Sequence, residues 1–404
     1  MPRILAVVIF AIIAAGIAAA DEWPQFRGPA GDGHASQQGL PLTWSESEHV
    51  AWKVPIAGLG WSSPVIRDGK IWLTTALDDG RSLRAVCVDA KQRQVVRDVE
   101  VFHLEVPAPV HRKNSHASPT PILEGHRVYV HFGDNGTACL ADDGTVIWRN
   151  NDLKYAHGHG PAGSPVLYRD LLIASCDGTD VQYVVALDKN SGTIRWKTAR
   201  VGAMAYSTPL VITVAGRDQL VSTGGEWVVA YEPATGEELW RARYAGGYSN
   251  VPRPVFGKGL VFVASGYDTP WLYAVRPDGR GDVSGSHVAW KLQKGAPLNP
   301  SPLVAGDELY LVDDKGIATC LDATTGKTHW QERVPGNYSA SPLLADGRIY
   351  LTNETGVTTV IAAGREFKEL ATNTVEGHTL ASLAVAGRAI FLRTDSHLYR
   401  IEQP

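Results

Sequence analysis

Side chains able to hold a ligand recur at one kind of place in this chain, just ahead of a proline that starts a short apolar run. They are Trp61, His116, His159, Tyr206, Asn250 with Arg253, Asn299 and Tyr338. Aromatic walls with a few oriented polar groups are what a pocket for a small polar molecule requires. Seven successive segments that each deliver such a group predict a funnel able to bind one. The same residues beside Ser-Pro turns can instead serve local hydrogen bonds and cap a channel.

Other reactive types are less organised. Asp79, Asp134, Asp177, Asp180, Glu226, Asp268, Asp314, Glu354 and Asp395 fall in predicted turns, where neighbouring carboxylates could hold a hard cation, although Asp is also an ordinary turn residue. His157 and His159 alternate, and His103, His111 and His116 lie in or beside residues 100–113. No carboxylate or thiol joins them at a ligand spacing, so no metal ligand is assigned. Cys87, Cys139, Cys176 and Cys320 are isolated, which excludes a zinc motif. Three of them stand where Ala186, Ala230 and Ala274 stand in other repeats, a pattern of small buried side chains rather than of disulfides. No GxSxG elbow or P-loop occurs, and no catalytic residue is assigned. With 38 basic against 42 acidic residues and no basic block, nothing neutralises a phosphate backbone, and nucleic acid is excluded as a partner.

The elements that must position these groups are repeats. Residues 299–334 show the unit: Leu303-Val304, a Gly306-Asp307 turn, Leu309 to Val312, an Asp313-Asp314-Lys315-Gly316 turn, Ile317 to Leu321, an Asp322…Thr325-Gly326 turn, then Trp330. That is four short strands joined by tight turns. The opening strand recurs near Pro64, Pro121, Pro165, Pro209, Pro254, Pro302 and Pro342, and again near Ser382. After the first interval, the prolines are 40 to 48 residues apart, the period of a propeller blade. The fourth-strand marker recurs as Trp148, Trp196, Trp240, Trp290 and Trp330, with Val95-Val96 and Phe367 standing in twice. Trp52 precedes the first unit while the eighth stops after three strands. The sequence therefore predicts an all-β, eight-bladed propeller of four-stranded antiparallel blades over residues 48–404, its ring closed by the strand around Trp52. The tryptophans read as packing between blades.

Residues 1–20 read as a cleaved signal peptide: Arg3, the apolar run from Ile4 to Ile17, then Ala18-Ala19-Ala20. The expectation is a periplasmic or secreted protein with no membrane span after cleavage. An uncleaved anchor is the alternative, since the run approaches the ~17 residues that span a bilayer. Residues 21–47 read as an irregular arm that packs Trp23 and Phe26 on the body, or else as a docking tag.

The stretches Ala186-Leu187-Asp188…Ser191-Gly192…Trp196, Tyr231-Glu232…Thr235-Gly236…Trp240 and Leu321-Asp322…Thr325-Gly326…Trp330 resemble the pyrroloquinoline quinone (PQQ) repeat. That repeat is found in quinoprotein dehydrogenases and in BamB-type outer-membrane assembly propellers. Trp23 to Pro29 and Lys113 to Thr120 resemble a group of exported bacterial PQQ-like propellers. The resemblance implies a scaffold that binds an envelope protein or a small polar ligand. The alternatives are a PQQ-dependent alcohol or sugar dehydrogenase using PQQ with calcium, and a glycan-binding module. The adjacent cysteine pair usual in the dehydrogenases is absent, as is a CxxCH haem motif. The expectation is therefore a non-catalytic protein with no cofactor.

Overall fold

The structure is a computed structural model that describes residues 22–244 and 246–403. The unit read from residues 299–334 is one sheet, with strands Leu303–Ala305, Glu308–Val312, Ile317–Asp322 and Thr328–Arg333 paired in sequence order, each antiparallel to the next. Its turns follow from local chemistry. Asp322 Oδ1 accepts hydrogen bonds from Thr324 N at 3.1 Å and from Thr325 N and Oγ1 at 2.8 Å. Gly326 then takes φ +72°, a conformation costly for any residue with a Cβ.

Seven sheets of this kind begin at Val65, Ile122, Val166, Leu210, Val255, Leu303 and Leu343. The eighth joins Ala384–Ala386, Ala389–Arg393 and His397–Glu402 to Val50–Pro55 from the other end of the domain. First strands of neighbouring blades pack against one another around the axis. The eight-bladed architecture is thus present, and so is its closure: Trp52 faces Arg400 in the last blade. The first and last blades consequently share one core, which contains Trp52, Ile71, Val88, Phe391 and Tyr399.

Each marker tryptophan sits beside a β-bulge opposite a small third-strand residue: Cys139 for Trp148, Ala186 for Trp196, Ala230 for Trp240, Ala274 for Trp290 and Cys320 for Trp330. The bulge re-aims the indole, and in four of the five Nε1 donates to a turn of the following blade. Trp148 reaches Lys189 O (3.1 Å), Trp196 Pro233 O (3.2 Å), Trp290 Ala323 O (3.1 Å) and Trp330 Gly364 O (3.0 Å). The repeat glycine lies under the ring: a Cβ on Gly326 would stand 2.7 Å from Trp290. In the two blades without the tryptophan, Arg97 and Ala371 hold the register position rather than Val95-Val96 and Phe367. Phe367 instead packs edge-on against Trp330 of the preceding blade, 5.2 Å between centroids. All four cysteines are buried free thiols. Burial pushes Cys139 and Cys320 up to about 11, so they stay protonated and inert.

Candidate functional site at the channel mouth

Segments leading into first strands are stitched to turns between second and third strands, so both sets lie on one end of the ring. Leu298 N and Asn299 N donate to Asp314 Oδ2 at 2.7 and 3.2 Å, and Ala156 N donates to Asp180 Oδ1 at 2.8 Å. Glu354 N reaches Asn337 O and Asp395 N reaches His378 O, both at 2.8 Å. Turn carboxylates here satisfy backbone donors, the ordinary use of Asp in turns. Among the described residues no group of three His, Cys, Asp or Glu side chains converges as a metal site would.

The structure brings most of the eight predicted side chains to this end; Asn299, Tyr206 and the Asn250 amide nitrogen are engaged with the protein itself, while Trp61 Nε1, Tyr338 Oη and Asn250 Oδ1 are buried with no hydrogen-bond partner among the described residues. Asn299 Nδ2 donates to Asp314 Oδ1. Tyr206 is buried, donates to His157 O and accepts from His159 N at 3.1 Å. Asn250 is fully buried, with Nδ2 on Tyr244 Oη (3.1 Å) and Ala264 O (3.2 Å). Tyr338 is also buried, beside Gly316. Trp61 stands edge-on to His378, 5.5 Å between centroids, and the rings of His111, His159 and Tyr206 are in contact. Arg253 lies deeper, in the channel.

Residues 100–103 extend the fourth strand Gln94–His103 of the first blade, so the inserted loop proper is 104–114, and it lies across the mouth. His111 N and Asn114 Nδ2 donate to His159 O at 3.0 and 2.9 Å. Across the opening, Lys113 Nζ meets Glu354 Oε1 at 2.6 Å, a carboxylate that also accepts from Ser339 Oγ at 2.7 Å. Under the loop is an open cleft of about 530 Å³ lined by Asp78, Asp79, Arg81, Pro107 to Pro109 and His116. His116 Nε2 is fixed 2.8 Å from Ala108 O, and Asp78 and Asp79 both take left-handed φ, +52° and +55°, uncommon away from glycine. Beside the cleft, His157 Nδ1 accepts from Gly160 N at 2.9 Å, which leaves Nε2 as the protonated nitrogen, 3.5 Å from Asp134 Oδ1. Burial lowers the pKa of His157 and raises that of Asp134, the two charges partly offsetting this.

Below the mouth runs a ring that the sequence analysis did not detect. Residues preceding the strand-opening prolines pass a hydrogen bond from backbone N–H to the hydroxyl of the next blade. Ser63 N reaches Thr120, Thr120 N reaches Ser164 and Ser164 N reaches Thr208, each at 2.9 Å. Arg253 N reaches Ser301 and Ser301 N reaches Ser341, both at 3.0 Å, then Ser341 N reaches Ser382 at 2.9 Å and Ser382 N reaches Ser63 at 3.1 Å. The signal was available as Ser or Thr at the same offset in seven units, with Arg253 in the eighth.

The exception has a purpose: Arg253 holds the N-terminal arm in the channel. Its Nη1 donates to Phe26 O (2.9 Å) and Gly31 O (3.0 Å), and its Nε to Pro209 O (3.1 Å). The arm also bonds to inner strands through Trp23 with Ile66, Pro24 O with Leu123 N, and Gly33 O with Leu344 N. It then pairs His34–Ala35 in parallel with the seventh blade and continues to the outer strand of the eighth. Trp23 is 1% exposed, and its indole occupies the space where a Cβ on Gly28 (φ +83°) would lie, 2.8 Å away.

Substituting serine for Arg253 should release the arm while supplying an eighth hydroxyl. Trypsin should then cleave at Arg27 far faster than in the native chain, with the β-sheet circular dichroism retained. Equal cleavage rates would reject the anchoring role.

Repeats, bulged tryptophans and ring closure define this molecule as an eight-bladed PQQ-like β-propeller protein. The chain belongs to the family described as outer membrane protein assembly factor BamB, whose model matches residues 44–199 and 180–403. Among curated proteins it is similar to methanol dehydrogenase [cytochrome c] subunit 1 of Methylorubrum extorquens, at 26% identity over 176 residues, 36% of this chain and 28% of that one. Among solved structures it is similar to BamB from Moraxella catarrhalis, with 12% identity and TM-score 0.60, covering 87% of this chain and 99% of that one. It is also similar to a europium-containing methanol dehydrogenase, with 11% identity and TM-score 0.68, covering 93% and 90%. At these identities the structural likeness establishes the fold. Among the described residues no helix is long and apolar enough to cross a membrane.

Proposed function

We propose that this protein is an exported, non-catalytic propeller that works as a binding or assembly scaffold in the cell envelope, with the loop-covered mouth face as its contact surface. One observation carries the reading: the channel is occupied by the chain's own arm, while apolar side chains stand in solvent around the mouth. Leu59, Val106, Val181, Val201 and Tyr267 are all exposed there, Val106 and Val201 at 89% and 80%. Exposed apolar side chains that join into one patch rimmed by polar turns mark a protein contact surface. The family match to an assembly factor points the same way.

A photo-crosslinker at Val201 or Tyr267 should capture one defined envelope protein, and one at Ile147, on an outer strand away from the mouth, should not. Equal capture from both positions would remove the reading.

The dehydrogenase reading is kept because of the similarity to methanol dehydrogenases. The donors at the mouth fit PQQ, a planar tricarboxylate, poorly. Lys113 is already paired with Glu354, and the guanidiniums of Arg27 and Arg253 are enclosed by the arm. Titration with PQQ and calcium should give neither a shifted quinone absorption nor dye-linked alcohol oxidation. A saturable shift would favour the dehydrogenase instead. Glycan binding, the third reading, would depend on Trp61, which is buried against His378.

A further inference from the structure

Two guanidiniums share the plugged axis, and among the described residues neither makes an ion pair with an acid. Arg27 is 1% exposed and Arg253 2%. Arg27 engages Nη2 alone, on Pro302 O at 2.8 Å and Asp32 O at 2.9 Å; its Nε and Nη1 are buried with no hydrogen-bond partner. Arg253 binds Gly31 O while Arg27 binds Asp32 O, so the two heads grip consecutive carbonyls of one loop. Every acceptor they meet is a neutral carbonyl. The nearest acid, Asp32, is turned to His34, accepting from its backbone N at 3.0 Å, with the imidazole at 3.9 Å. Burial depresses both guanidiniums, to about 10 for Arg27 and about 9 for Arg253, the second also through repulsion from the first, and the Asp32 carboxylate offsets this only in part; both remain cationic at neutral pH. A pair of desolvated like charges with idle donors calls for an anion. The space is narrow: a Cβ on Gly31 would lie 2.2 Å from Arg253 Nη1, and one on Gly33 2.7 Å from Arg27 Nη2.

We propose that the propeller axis binds a small monatomic anion, chloride in practice, against Nε and Nη1 of Arg27 and in the field of Arg253, and that this ion locks the N-terminal arm into the channel. The tight backbone around both heads favours a halide over phosphate or sulfate. The bound ion turns two repelling cations into two arms of one site.

Crystals of the full chain soaked in sodium bromide should give an anomalous peak beside Arg27 Nε and Nη1. In solution, exchanging sodium gluconate for sodium chloride at constant ionic strength should raise Tm by on the order of 2 °C per tenfold chloride above its Kd. Arg27→Gln should lose that chloride-specific shift. Should this variant not fold, the bromide peak and the chloride-gluconate comparison on the native chain decide alone. A water in place of bromide, bromide confined to the surface, or identical Tm in the two salts would overturn the proposal.

Discussion

Replacing Arg200 by alanine should destabilise the protein by about 3 to 5 kcal/mol, read as a lower chemical-denaturation midpoint. The side chains of Arg200 and Asp177 are 4% and 1% exposed. Arg200 grips both carboxylate oxygens, with Nε on Oδ1 at 2.8 Å and Nη2 on Oδ2. It then reaches across the blade boundary to Ser222 Oγ at 2.9 Å, where Ser175 and Ser222 are themselves bonded at 2.7 Å. Removing one partner leaves the other charge buried alone, which costs more than the pair was worth. Asp177→Asn should therefore be nearly as harmful as Arg200→Ala. An Asp177→Leu/Arg200→Met double variant should recover much of the loss. Additive damage in that cycle would mean that the two residues act independently.

The second large effect is expected at Trp240. Its indole is fully buried between the fourth and fifth blades and is covered by an added strand, Gly281–Asp282, parallel to Glu238–Arg243. Instead of a carbonyl in the next blade, Nε1 binds Gln219 Oε1 at 2.7 Å, and Gln219 Nε2 binds Pro277 O at 3.0 Å. Trp240→Ala removes the packing and should cost about 3 to 5 kcal/mol. Trp240→Phe keeps most of the volume but strands the buried amide, for about 1 to 3 kcal/mol. At Trp52, whose Nε1 has no partner among the described residues, the same change to Phe should cost less. Thermal and urea unfolding of the two phenylalanine variants tests the distinction; equal losses would show that the hydrogen bond contributes nothing.

The fold was legible because blade chemistry is local. Gly306 and Asp322 with Thr325-Gly326 set turns within a few residues of their own position, Trp330 marks the fourth strand at a fixed offset from them, and the four-strand unit they punctuate repeats. Even ring closure was readable, because the surplus strand at Trp52 and the missing fourth strand after Ile401 match as counts. The weak points were substitutes: Val95-Val96 and Phe367 lie near the marker in sequence, but the bulge puts Arg97 and Ala371 in its register.

The mouth was legible as a place and not as an arrangement. Asn299 and Asp314 were both picked out, but whether an amide and a carboxylate 15 residues apart face a ligand or each other depends on how two turns meet. The signal peptide expected over residues 1–20 lies outside the described residues.

By itself, then, the sequence determined what periodicity and turn chemistry can encode: eight four-stranded blades, their tryptophan seams, and which blade the N-terminal strand completes. Only the tertiary structure decided what fills the middle. The pairings of Lys113 with Glu354, Arg253 with Phe26 and Gly31, and Arg27 with Pro302 join residues 222 to 275 positions apart. Such contacts have no spacing rule, because they depend on how the closed ring brings distant blades together around one axis.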